Sequence, residues 1–288
     1  MSNRQLWQSQ NFLISPEFVA SLVEKTNIGP SDTVVEIGSG KGVITRQLAK
    51  KAQRVIGVEY DHELAVSLES SLSDVANVKI VEANLLSWDL PEHPYKVFSN
   101  IPFNMTADMI NKLLVSPNPP EATYLIMQDR AAERFIGKPV GPDSQASILF
   151  QPFYDMGIVT RVDRRQFKPI PNINAVLARF VKRREPLIDL SLTQQYRDFV
   201  IYGYNQWQPT ILEAFRGVFS PRQLDIIAER FGIKGLKPSE LEVNQWLGLF
   251  NTYLEHFPGG NKAKVMGAEK NLRLKQQGMK KQHRTRKK

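Results

Sequence analysis

Two short stretches of this sequence carry residues whose types and spacing could do chemistry. The first is Val35-Glu36-Ile37-Gly38-Ser39-Gly40-Lys41-Gly42, where alternate glycines follow an apolar, β-branched run. Glycine lets a backbone turn tightly and approach a ligand closely. The spacing is Gly-x-Gly-x-Gly, not the Gly-x-Gly-x-x-Gly of dinucleotide folds. A carboxylate, Glu59, ends the next apolar run 21 residues after Gly38, where it could take both hydroxyls of a ribose. A tight structural turn would use the same glycines. The second stretch is Ser99-Asn100-Ile101-Pro102-Phe103, again directly after an apolar run. The exocyclic amine of adenine is a poor nucleophile, because its lone pair is delocalised into the ring. The Asn100 side-chain oxygen and the Ile101 carbonyl could accept its two N–H bonds and favour a pyramidal nitrogen. Pro102 would fix the backbone, and the Phe103 ring could stack on the base. An ordinary strand-to-helix turn also favours Asn and Pro.

The elements that must position these residues show in the apolar patterning. Thr33–Ile37, Arg54–Glu59, Val78–Glu82, Val97–Ser99 and Tyr124–Met127 read as strands. Val43–Lys51, Glu63–Ser71, Met105–Leu114 and Ala131–Ile136 read as helices. This alternation predicts an α/β domain with a parallel sheet covered on both faces. Met156–Val162 and Ala175–Lys182 are later strands compatible with a closing hairpin. Asp61 and Glu63 are expected to favour a helix N-terminus, whose dipole they complement.

Glu185-Pro186 interrupts the pattern, and from Thr193 to Phe257 the apolar spacing is helical. Ser220-Pro221 and Lys237-Pro238-Ser239-Glu240 read as helix starts. Trp207, Trp246 and Phe250 are expected in a helical core. The expected division is an α/β domain over 1–185, a small all-helical domain over 186–258 and a basic tail over 259–288. The tail reads as too polar to pack, and disordered when free.

Gln10-Asn11-Phe12-Leu13, the glycine loop from Glu36 to Gly42, Asn100-Ile101-Pro102-Phe103 and Phe167-Lys168-Pro169-Ile170-Pro171 occur in the order of a known family. The chain resembles the ribosomal RNA adenine N6-methyltransferases, and within them the Erm branch, which modifies large-subunit 23S rRNA. Gly-Ser-Gly-Lys-Gly and the Ile of Asn-Ile-Pro-Phe look like that branch. The small-subunit branch usually has Pro in the glycine loop and Leu-Pro-Tyr later. Pro238-Ser239-Glu240-Leu241 and Gln245-Trp246 also look similar to the Erm C-terminal domain.

The resemblance implies a Rossmann-like class I methyltransferase domain with a small all-helical C-terminal domain, and S-adenosylmethionine as cofactor. Asn11, the Leu13 backbone and Asn100 would hold the cofactor's methionine end, with Gly38 and Gly40 in close backbone contact. Glu59 would bind its ribose, and Asn84 would face its adenine amine. Asp is usual where this chain has Asn84, so a charge is lost there. Asn100, Ile101 and Pro102 would orient the target amine, with Phe103 on one face of the base and Phe167 on the other. The resemblance also implies resistance to macrolides, lincosamides and streptogramin B. The rival readings are a small-subunit rRNA adenine dimethyltransferase and a non-catalytic nucleic-acid-binding relative.

Composition removes other chemistries. The chain of 288 residues has no cysteine, which excludes a disulfide scaffold, thiolate zinc and a cysteine nucleophile. Its four histidines are scattered without metal-ligand spacing, so no metal is expected. No apolar run approaches membrane length and Met1–Leu13 is polar, so a cytoplasmic protein is expected, as a monomer. The net charge is +9, yet residues 259–288 hold 11 Lys/Arg against one acid, Glu269. A second basic cluster runs from Arg161 to Arg184, with eight basic residues and only Asp163 opposing. Clustered positive charge is the footprint of a nucleic-acid partner, and Arg134, Arg161, Arg164, Arg165 and Lys168 are candidate phosphate contacts.

Overall fold

A computed structural model of the chain describes residues 11–255 and 262–277, and these group into two compact units. The first unit contains strands β1 (Phe12–Leu13), β2 (Thr33–Ile37), β3 (Arg54–Glu59), β4 (Val78–Glu82), β5 (Lys96–Asn100) and β6 (Ala122–Gln128). Three more strands follow, β7 (Tyr154–Val162), β8 (Phe167–Lys168) and β9 (Ala175–Lys182). Its helices are α1 (Pro16–Glu24), α2 (Val43–Ala49), α3 (His62–Ser71), α4 (Thr106–Leu114) and α5 (Asp129–Ile136). Seven strands form one sheet in the order β4-β3-β2-β5-β6-β9-β7. The five from β4 to β6 pair in parallel, while β9 runs against both β6 and β7.

The sequence dictates these strands by burial. Val34, Val35 and Ile37 of β2 and Val55, Ile56 and Val58 of β3 are all buried. Near-continuous β-branched runs are what a strand covered on both faces requires. From β2 the chain steps outward through α2 and α3 in one direction, and β5–α4–β6 step outward in the other. Right-handed crossovers in opposite directions put those helices on opposite faces of the sheet. Helix starts are set locally. Ser15 caps α1 by accepting from Phe18 N, with Pro16 in the first turn. Asp61 caps α3 by accepting from Leu64 N at 3.1 Å, as its position suggested.

The second unit is helical. It comprises α6 (Gln145–Phe150), α7 (Thr193–Tyr204), α8 (Ile211–Ala214), α9 (Pro221–Phe231), α10 (Val243–Glu255), α11 (Lys262–Val265) and α12 (Ala268–Gln277). Aromatic rings fill its core. Phe199 stacks on Phe215 with centroids 4.6 Å apart, and Tyr204 stacks on Trp246 at 5.3 Å. Trp246 and Phe250 are fully buried, as their spacing implied.

Four features depart from the sequence reading. Residues 137–153 group with the helical unit rather than with 1–185. Long-range contacts bind them there: Tyr196 donates to Ile148 O at 3.0 Å, and Lys138 pairs with Glu242 at 2.6 Å. Second, the segment expected to be disordered is helical over Lys262–Val265 and Ala268–Gln277. Its lone acid is the reason. Glu269 is buried between Arg197 and Arg273, at 2.7 Å from each. Asp198 accepts from Gly267 N and Glu269 N at 2.9 Å, satisfying amides at the start of α12. Third, Trp207 is 95% exposed rather than in the core. Fourth, Pro238–Glu240 form a single 3-10 turn, and α10 starts at Val243. Gln10 and residues 256–261 and 278–288 lie outside the described residues. Among the described residues no helix is long and apolar enough to cross a membrane.

Candidate active site

Strand order reverses between β3 and β5 on either side of β2. Ligands in open α/β sheets sit at the carboxyl ends of strands at such a switch point. The residues singled out from the sequence converge on it: Gly38 follows β2, Glu59 ends β3 and Asn100 ends β5. Parallel register carries this out, since Val35 faces both Ile56 and Val97. A hydroxyl then locks the ends together. Ser99, fully buried, donates to Ile37 O at 2.6 Å and holds Asn100 beside the glycine loop.

The loop adopts a backbone that only glycine takes without strain. Gly38, Gly40 and Gly42 all have positive φ, at 70°, 52° and 76°. At Gly40 a Cβ would stand 2.9 Å from the Phe12 ring. Glu59 braces this loop from the next strand. Its buried carboxylate accepts from Gly40 N at 2.8 Å through Oε2, and from Tyr60 N and Asp61 N at 2.8 and 3.0 Å through Oε1. Three backbone donors thus use most of a carboxylate's four acceptor positions, leaving about one for a ligand hydroxyl.

Glu36 lies just beneath. Its Oε2 accepts from Thr45 Oγ1 at 2.6 Å, while its Oε1 and the Ser39 hydroxyl are buried with no hydrogen-bond partner. Burial raises the Glu36 carboxyl to about 8, against the opposing pull of the Thr45 and Ser39 hydroxyls, so it is mostly protonated at neutral pH. Glu36, Gly38, Ser39, Lys41, Leu13 and Asn100 line one cleft. Buried polar atoms without partners, a glycine backbone open to close approach and a fixed acid fit a polar ligand carrying a ribose.

Asn100 donates through Nδ2 to the Asn11 carbonyl at 2.7 Å, which leaves Oδ1 as the accepting end of the amide. Ile101 and Pro102 are buried, and Phe103 is half-buried against the core. Leu13 pairs with Phe167 where β1 and β8 form an antiparallel ribbon. Phe167 is 1% exposed and packed into the core, so its ring offers no open face. Asn84 is half-buried, and its Oδ1 accepts from Leu86 N at 3.0 Å, closing a local turn.

Of the basic candidates, Arg165 is tied to Asp163 at 2.6 Å, while Arg161, Arg164 and Lys168 are exposed. Among the described residues no cluster of His, Asp and Glu could hold a metal ion. Phe12, Ser99 and Thr45 had no role in the sequence reading. A small polar residue inside the apolar run Val97-Phe98-Ser99 was the available signal for Ser99. Nothing marked Thr45, because its partner Glu36 is met only after the loop has turned back.

A sheet that reverses at β2, with a glycine loop over the crevice, is the architecture of the Rossmann-like methyltransferases, and this chain is one of them, using S-adenosylmethionine. It belongs to the ribosomal RNA adenine dimethylase family, whose model matches residues 2–255. Its activity class is accordingly that of an rRNA adenine N6-methyltransferase. The rRNA adenine N-6-methyltransferase of Bacillus licheniformis is 28% identical over 265 residues, covering 90% of this chain and 92% of the relative. The ribosomal RNA small subunit methyltransferase A of Moorella thermoacetica is 30% identical over 221 residues, covering 72% of this chain and 77% of the relative. The crystal structure of the 23S rRNA methyltransferase ErmE superposes with a TM-score of 0.77 at 28% identity, covering 85% of this chain and 100% of that one.

Proposed function

We propose that this chain methylates N6 of an adenine in the peptidyl-transferase loop of 23S rRNA, and so confers resistance to macrolide, lincosamide and streptogramin B antibiotics. The observation that carries the reading is the likeness to ErmE over that protein's whole chain, at a TM-score of 0.77. Gly-Ser-Gly-Lys-Gly at Gly38–Gly42 and Ile101 within Asn-Ile-Pro-Phe support the same branch. The enzyme acts as a cytoplasmic monomer. The first unit performs the chemistry, and the helical unit with its basic extension holds the RNA.

Gly38, Gly40, Glu59, Asn11, Leu13, Asn100 and Asn84 form the cofactor's seat. S-adenosylmethionine, when bound there, supplies an activated methyl for in-line displacement. The protein's part is positioning. The target base leaves its stack. Asn100 Oδ1 and the Ile101 carbonyl accept its amine N–H groups, and the Asn11 carbonyl keeps the Asn100 amide in that orientation. Pro102 holds the turn, and Phe103 takes one face of the base. Phe167, packed in the core, would have to leave it to reach the other face.

A second reading, small-subunit methylation, is favoured by the 30% identity to the Moorella protein. The test offers naked large- and small-subunit rRNA separately with labelled cofactor, then maps the modified nucleotide by mass. Label confined to one adenine of the large-subunit loop, with a raised inhibitory concentration of a macrolide for expressing cells, is the expected result. Label confined to small-subunit RNA overturns the proposal in favour of the second reading.

A further inference from the structure

We infer that Trp207, on the helical unit, is a stacking platform for an unpaired base of the RNA substrate. Trp207 has the largest apolar side chain type in the chain, yet it is 95% exposed, while Trp246 of the same unit is fully buried. It is also the one non-glycine residue with positive φ among the described residues, at 56°. A bulky side chain in the left-handed region is strained, and such strain persists where the surroundings over-determine it.

The surroundings do over-determine it. On the N-terminal side Asn205 Nδ2 donates to Ile201 O at 2.7 Å, and Gln206 Nε2 donates to Tyr202 O at 3.3 Å, tying the segment to the last turn of α7. On the C-terminal side Thr210 caps α8, accepting from Glu213 N at 3.3 Å and donating to Glu213 Oε2 at 2.9 Å. Ile211 N then donates to Leu236 O at 2.8 Å. The indole therefore projects from a bridge fastened at both ends. A fold seeking only stability would have turned that ring inward, since burying a large apolar side chain is favourable.

The neighbouring chemistry selects the partner. The Ile211–Leu236 hydrogen bond brings the Trp207 segment beside the loop 232–237, which carries exposed Lys234 and Lys237 and no acid. Residues 205–210 carry no charge at all. An exposed indole on a segment bonded to a lysine-bearing loop matches a nucleobase with its flanking phosphates, because stacking tolerates any base and lysine meets the backbone. An anionic partner of this shape is what an rRNA methyltransferase must hold. The inference rests on rRNA being the substrate and not on which subunit supplies it. Trp207 is not among the residues that line the cleft, so it contributes to holding RNA, not to methyl transfer.

The test uses the full chain with whichever rRNA the wild type methylates, comparing Trp207→Ala, Trp207→Phe and Trp207→Gly. Trp207→Ala should weaken RNA binding about five- to a hundredfold, the range of one lost base stack. Trp207→Phe should recover most of the affinity. Single-turnover methylation at saturating RNA should be unchanged in all three. Trp207→Gly removes ring and strain together, so it should lose affinity as Trp207→Ala does while its Tm does not fall. RNA should quench the exposed indole's fluorescence in the wild type and not in Trp207→Ala. Wild-type affinity in Trp207→Ala overturns the inference, as does an equal loss in Trp207→Phe. A wild type that methylates neither rRNA defeats the assigned substrate, a failure distinct from that of the stack.

Discussion

In the first unit the buried carboxylates at the cleft answer only to neutral donors: Glu59 to three backbone amides and Glu36 to one hydroxyl. In the second unit Glu269 answers to the guanidiniums of Arg197 and Arg273. The titrations diverge accordingly. Burial raises Glu36 to about 8. Burial also pushes Glu269 upward, but hydrogen bonds and charge from Arg197, with help from Gln194 and Arg273, bring it down to about 2. A site built to receive a ligand leaves acceptors underused. A joint built to hold two helices together satisfies every one. Stability is stored at the joint, and the cleft gives some up to keep polar atoms ready for a partner.

That contrast can be broken first at the joint. Arg197→Met leaves the buried Glu269 with the exposed Arg273 as its one charged partner among the described residues, and should cost about 3 kcal/mol, read as a lower urea midpoint. Ending the chain at residue 258 should destabilise the second unit similarly, because Val265 and Glu269 are both buried. It should also weaken RNA binding and flatten its salt dependence, since 11 basic residues leave with the segment. Unchanged midpoints would mean that α12 contributes nothing to the fold. The same joint should fail in acid. Glu269 titrates below its ordinary 4.5, so its stabilisation is present above that pH and lost as pH falls toward about 2.

The cleft should respond in activity instead. Asn100→Ala removes the acceptor for the target amine, and turnover should fall about 100-fold or more, with RNA affinity nearly unchanged. Near-wild-type turnover would remove Asn100 from the chemistry.

Glu36 sharpens the comparison through the opposite sign of its pH dependence. Its folded value lies above the ordinary 4.5, so the folded chain holds a proton that the unfolded chain releases. Stability is then full below about 4.5 and declines as pH rises toward about 8. Glu36→Gln should flatten that decline and raise stability at pH 8 by about 1–3 kcal/mol in denaturant unfolding. A slope identical to wild type would place the titration elsewhere.

The smallest expected effect is at Asn84, whose Oδ1 already serves Leu86 N. Asn84→Asp keeps that acceptor and adds charge, so S-adenosylmethionine binding should tighten by about threefold or less, while Asn84→Ala weakens it. Equal dissociation constants for wild type, Asn84→Asp and Asn84→Ala in calorimetry would remove the position from the cofactor's seat.

Sequence by itself determined the parts governed by local rules. The parallel strands from Thr33 to Gln128, the caps Asp61 and Ser220, and the glycine loop with Glu59 all follow from burial period, capping chemistry and left-handed backbone. Only the tertiary structure decided the rest. The two-residue strands β1 and β8 leave no period, and they exist because distant segments meet. Phe167 is expected from the sequence against the target base, but its ring packs into the core. Residues 262–277 look unpackable by composition, yet one acid at position 269 meets Arg197 and turns a polar stretch into a docked helix. Trp207 carries the residue type of a core and the exposure of a contact. Which of the two it is depends on the hydrogen bonds at its flanks, and those partners are distributed over α7, α8 and the loop before α10. Hydrophobic type predicts burial only on average, because burial is settled by where the backbone on either side is fastened.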